Sequence, residues 1–165
     1  MTRTLAHTLS CLAVLAALQS AASAQTAIPT VTPAAGKLSC GSGSGQIGST
    51  TANLKICLQR SAGIGRDTYS FLINDKSTLQ VVDDDSLKGV SGTYEKTPLF
   101  LNCTSQTKPP KEVSEIMIRT YQRTMKVSAE QAREMAIKQD SIEIGRQCAA
   151  RANNKVVLEV QFKFE

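Results

Sequence analysis

The chain has 165 residues, 41% of them hydrophobic, with 19 Lys and Arg against 14 Asp and Glu, one histidine and no tryptophan. That is long enough for one domain with a buried core. The mild basic excess lacks the dense basic runs and interleaved aromatics of a nucleic-acid site, so binding to nucleic acid is not expected.

Residues 1–24 have the three zones of a cleavable secretory signal. Arg3 supplies the positive charge, Leu9 to Leu18 form an apolar core, and Ala22-Ser23-Ala24 is a small-residue cleavage site, which makes Gln25 the expected mature start. The apolar core is shorter than the roughly 20 residues that a membrane-spanning helix needs. Cys11 stands at the front of that core, where a lipidated cysteine would not. The alanine-rich signal looks bacterial, so the expected location is the periplasm or the medium.

Cleavage removes His7, the only histidine. The mature chain therefore has no Ser-His-Asp or Cys-His nucleophile and no histidine general base or metal ligand. Carboxylate or Ser-Lys chemistry is what remains, and neither has a signature here. Four cysteines are left, Cys40, Cys57, Cys103 and Cys148. An even number in an exported domain argues for two disulfides. No pair has the C-x-x-C spacing of a zinc or redox site. The expected pairing is Cys40 with Cys57, across a Gly/Ser segment, and Cys103 with Cys148, clamping a helix to a sheet. Cys57 shares a strand face with Lys55 and Gln59 and is expected at the rim.

In chain order, residues 25–36 carry two prolines and no charge and read as a flexible lead-in to a single disulfide-stapled domain over 37–165. Residues 41–52 read as a Gly/Ser/Thr loop. Strand-like alternation follows at 53–60, 66–74, 78–83, 87–95 and 98–103, separated by polar turns, which predicts an antiparallel meander. Lys/Arg outnumber Asp/Glu ten to six over 108–155, where the periodicity turns helical. Residues 112–126 place Val113, Ile116, Met117, Thr120, Tyr121 and Thr124 on one face. Ser128 with Gln131 makes a capping box for a second helix, predicted to reach Ala152, with a possible break at Asp140. Asn153-Asn154 ends it, and residues 155–164 alternate cleanly as a last strand. The predicted class is α+β: an antiparallel β-meander, two amphipathic helices packed on one face of the sheet, and a C-terminal strand.

Three motifs read as structural. Gly43 to Thr50 spells a phosphate-binding loop, but Ser49 stands where the lysine should be. Asp83-Asp84-Asp85 could offer oxygen ligands to calcium, without the glycine and distal glutamate of an EF-hand. Asn102-Cys103-Thr104 spells a glycosylation sequon at a strand end.

Gly36-Lys37-Leu38-Ser39-Cys40, Cys57, and Val82-Asp83 with Ser86-Leu87-Lys88 are similar to one half of a cyanovirin-type lectin repeat, over about a third of the chain. Two helices stand where the second half of the repeat would be. The resemblance implies carbohydrate binding.

These observations lead to an expected function as an exported, non-enzymatic binding module acting on a protein partner, such as an inhibitor, an immunity factor or an envelope-assembly accessory. A carbohydrate- or peptidoglycan-binding module is the first alternative and a carboxylate-based hydrolase the second. The candidate contact residues are Tyr69, Tyr94, Asp83, Asp84 and Asp85, with no cofactor, no metal and no catalytic residue expected. The partner would be a protein of the cell envelope or exterior, or a glycan.

Overall fold

The computed structural model describes residues 27–164; the signal-peptide reading of residues 1–24 lies outside them. The fold is α+β, with nine strands in two sheets, two helices of more than two turns and a single-turn helix. Four strands, β2 (Leu38–Ile47), β3 (Thr50–Gln59), β4 (Thr68–Ile73) and β5 (Lys76–Val82), form an antiparallel meander. A single helical turn, α1 (Asp83–Ser86), then carries the chain to the second sheet, where β6 (Val90–Tyr94) and β7 (Thr97–Lys108) make a hairpin. Helices α2 (Glu115–Met125) and α3 (Ala129–Asp140) follow, and β8 (Ile142–Ala152) and β9 (Lys155–Lys163) complete the second sheet. Within the predicted lead-in, Thr30–Val31 form β1 and pair in parallel with Gln161 and Phe162, so the second sheet runs β1-β9-β8-β7-β6.

The core lies between the sheets. Leu54, Ile56, Leu58, Tyr69, Phe71 and Ile73 meet Leu99, Leu101, Cys103, Cys148, Ala150, Val160 and Phe162. Period-two alternation in each strand sends these side chains to one face. The sheet face on which the helices were expected to pack is thus covered by the other sheet. The helices pack on each other instead, around Ile118, Ala132 and Ala136 with Val113, Met117, Tyr121 and Val127, a cluster that includes no strand residue.

Two further expectations are corrected. The second helix ends at Asp140, and residues 142–152 are strand β8, antiparallel to both β7 and β9. The apparent helical stripe of Ile137, Ser141, Ile144 and Cys148 arises by coincidence of spacing: Ile137 lies on α3, whereas Cys148 alternates with Ala150 and Ala152 on the buried face of β8. Asn153-Asn154, at φ 49° and 65°, is the two-residue turn of the β8–β9 hairpin. The Gly/Ser segment is likewise a strand rather than a loop. Alternate glycines of β2 face β9: a Cβ on Gly41 would stand 2.5 Å from a Val160 methyl, and one on Gly45 would stand 2.9 Å from the Val157 carbonyl oxygen. The glycines let two backbones approach where the sheets close at one corner.

Both disulfides pair as expected, each between residues directly opposite across neighbouring strands: Cys40 with Cys57 on β2 and β3, and Cys103 with Cys148 on β7 and β8. The second bridge ties strand to strand, since Cys148 is not helical. Cys57 is fully buried rather than at the rim, because β3 lies between β2 and β4 and the bridge to Cys40 covers it.

Candidate functional site

Residues 109–141 leave the second sheet and return to it at one place: Lys108 and Ile142 are partners in the β7–β8 ladder, with a register shift between Gln106 and Thr107 just below. The excursion is an arm of two antiparallel helices. Ser114 caps α2 by accepting a hydrogen bond from the Met117 amide, and Ser128 with Gln131 forms the expected capping box on α3. Lys126, in the left-handed region at φ 54°, ends α2 and turns the chain.

The arm's buried face differs from the predicted one. Ile118 is buried, with Met117 and Tyr121 beside it, whereas Ile116 is 75% exposed. The helical period of 100° per residue sets Ile116, Arg119, Thr120 and Arg123 together on the opposite, outward face. Thr120 and Thr124 donate their hydroxyls to the carbonyls of Ile116 and Thr120, which satisfies groups that would otherwise interrupt an apolar face. The three-and-four spacing fits either face here; Ala132 and Ala136, fully buried on α3, select Ile118 by letting the helices come close.

At the base of the arm lies a buried arginine. Arg146, on β8, is 6% exposed. Its Nε donates to Glu143 Oε1 at 2.6 Å, and its Nη1 donates to the Ser86 hydroxyl at 2.6 Å and to the Asp83 carbonyl at 3.1 Å. It also forms an ion pair with the Asp83 carboxylate. Burial of the guanidinium is tolerated because it is nearly saturated with acceptors, while the Asp83 and Glu143 side chains stay 35% and 32% exposed. Burial raises the Asp83 carboxyl above its ordinary value, and Arg146 only partly offsets it. For Glu143 burial acts in the same direction, but the hydrogen bonds from Arg146 and Ser105 outweigh it and hold the carboxyl below its ordinary value.

Of the sequence-predicted contact residues, Tyr69 is fully buried in the core, edge-on to Phe162 at 5.9 Å. Burial holds its phenol well above the usual range. It therefore does not reach a ligand. Asp83 belongs to the Arg146 cluster. Asp84 and Asp85 are exposed on α1, paired with Arg66 and Lys88. Tyr94 stands half-buried at the turn end of β6, away from α1. The structure thus gathers Tyr69 and Asp83 around Arg146 and leaves Tyr94 apart. Among the described residues no group of three or more His, Cys, Asp and Glu could hold a metal ion, and no helix is long and apolar enough to cross a membrane. Two disulfides fit an oxidising, extracytoplasmic setting.

Sequence reading missed Arg146, Glu143 and Ser86 because nothing local marks Arg146 as buried. It missed the outward face of α2 because Ile116 and Ile118 are equally apolar. Comparison with known proteins finds no matching family model, no matching curated protein and no matching solved structure.

Proposed function

We propose that the protein is an exported, non-enzymatic binding module that engages a protein partner through the α2–α3 arm. The observation that supports this reading is the arm itself: two capped helices with their own small core, carried on a sandwich stapled by two disulfides, and presenting a large apolar side chain, Ile116, at 75% exposure. A rigid body with a projecting helical face suits recognition, because little conformational freedom is lost on binding. An arginine-flanked apolar anchor is also the composition of an interface hot spot. The carbohydrate alternative loses Tyr69, which is buried beneath Arg146.

Photo-crosslinking in the producing cell tests the reading. With a benzophenone side chain at Thr120, an adduct to one protein is expected, absent when the same group is placed at Ser91 on the sandwich. N-terminal sequencing of the exported protein should begin at Gln25. Equal labelling from both positions, or none from Thr120, would overturn the arm as the binding surface.

A further inference from the structure

Among the described residues the ion pairs lie in the sandwich, where they take up the aspartates but leave Lys37, Lys76, Lys96, Glu95 and Glu159 without a partner. In the sandwich every aspartate has a cation: Asp67 with Arg60, Asp75 with Lys55, Asp83 with Arg146, Asp84 with Arg66 and Asp85 with Lys88. Every sandwich arginine is likewise engaged, Arg151 by the side-chain carbonyl of Asn102. Among the described residues no arm side chain takes part in an ion pair, although Arg119, Arg123, Lys126, Arg133 and Lys138 lie on it together with Glu115, Glu130, Glu134 and Asp140. Arg119 uses its Nε on the Glu115 backbone carbonyl at 3.3 Å rather than on the Glu115 carboxylate.

From the grouping of exposed Ile116 with Arg119 and Arg123 on one face of α2, and resting on the arm as the partner-binding surface, we infer that this face recognises an acidic protein surface that offers an apolar pocket to Ile116. Arg119 and Arg123 lie one turn apart on that face, about 6 Å along the helix axis. They flank Thr120 and follow Ile116 by one and two turns, so a partner that seats the isoleucine meets both guanidinium groups. Each can take a carboxylate bidentately. A second copy of this chain, whose arm carboxylates Glu130 and Glu134 are also unpaired among the described residues, is the rival occupant, and the same spectral shifts appearing when the protein alone is concentrated would overturn the inference. A membrane fits the face poorly. Its one large apolar side chain is followed by Thr120 and Thr124, whereas a helix that lies in a bilayer surface needs a continuous apolar stripe.

The intact mature protein, labelled with 15N, would be titrated with three probes. These are a synthetic helical peptide carrying leucines flanked by glutamates, the same peptide with glutamine at every glutamate, and vesicles containing phosphatidylglycerol. The expected result is binding of the acidic peptide with shifts confined to Ile116, Arg119, Thr120, Arg123 and their neighbours. Binding should be at least tenfold weaker to the glutamine peptide, and weaken steeply as salt rises. Arg119→Gln with Arg123→Gln, both compatible with helix, should weaken the acidic peptide by a similar factor with unchanged thermal stability. Equal binding of the two peptides, retention of affinity by the arginine variant, or preferential binding of vesicles would each overturn the inference. The two levels separate cleanly in the crosslinking assay. An adduct from Thr120 that survives both arginine substitutions keeps the arm as the binding surface and rejects the acidic partner.

Discussion

The guanidinium carbon of Arg146 stands 5.6 Å from the centroid of the Tyr69 ring, and both side chains are buried. The ring is thus one wall of the arginine's site, while the Tyr69 hydroxyl, also buried, has no hydrogen-bond partner. A buried hydroxyl without a partner costs about 1–3 kcal/mol, and a cation over an aromatic face needs only the ring. Tyr69→Phe is therefore expected to stabilise the protein by about 1 kcal/mol in chemical denaturation. Arg146→Ala, which strips a buried cation from two carboxylates, is expected to cost about 3 kcal/mol. A loss of stability in Tyr69→Phe would show that the hydroxyl is satisfied.

The two carboxylates around Arg146 should respond to acid with opposite signs. Glu143, held below its ordinary value of 4.5, adds stability that is complete above that pH and lost as pH falls through its lowered value. The stability gap between wild type and Glu143→Gln should shrink on acidification below 4.5. Asp83 is raised above its ordinary value of 3.8 by burial, which Arg146 only partly offsets, so wild type should gain on Asp83→Asn as pH falls through that raised value. Denaturation midpoints of the three proteins between neutral and acid pH measure both trends. Parallel curves would rule out the opposed shifts.

The closed corner between β2 and β9 is sensitive to a single carbon. Because a Cβ on Gly41 would meet two Val160 methyls at 2.5 and 2.6 Å, Gly41→Ala should cost about 1–3 kcal/mol through overpacking. Val160→Ala in the same chain should recover part of it. Gly63, where a Cβ would meet nothing within 4 Å, provides the neutral comparison.

The two bridges close loops of different length, 17 residues for Cys40–Cys57 and 45 for Cys103–Cys148. On loop-closure entropy, removing the first pair as alanines should cost about 3 kcal/mol and the second about 4 kcal/mol. Urea unfolding of the two double variants ranks them. Equal losses would mean that residual structure in the unfolded chain already constrains the longer loop.

How much of this was legible in the sequence depends on the range of the interaction. The α+β class, the helix caps at Ser128 and Gln131, the last strand and the presence of two disulfides could be read, because periodicity, capping chemistry and cysteine parity are local or countable. The cysteines pair as expected, but across neighbouring strands rather than around a loop and onto a helix. Positions 142–152 could not. Gly145, Ala149 and Ala150 carry little signal of their own, and the strand is imposed by the β7 and β9 backbones on either side. Turn chemistry was half visible. Asn153-Asn154 and Asn74-Asp75 suit positive φ, but Glu95-Lys96 adopts it as well, at 46° and 67°, with no sequence cue. The candidate site was the least legible part. Its arginine hub joins residues some 60 positions apart in the chain, Asp83 and Ser86 with Arg146, and only the packing of α2 on α3 shows which isoleucine of α2 faces outward.

The meeting of Lys108 and Ile142 in one ladder has a consequence for how such a molecule can change. The chain leaves and re-enters the sheet through a single doorway, which the Cys103–Cys148 bridge holds shut a few rungs below. Whatever lies beyond that doorway can lengthen, shorten or be exchanged without altering any strand register beneath it. A two-residue turn there would leave a plain hairpin. Head and handle are therefore separable in evolution and at the bench: the sandwich keeps its fold while the arm is free to change.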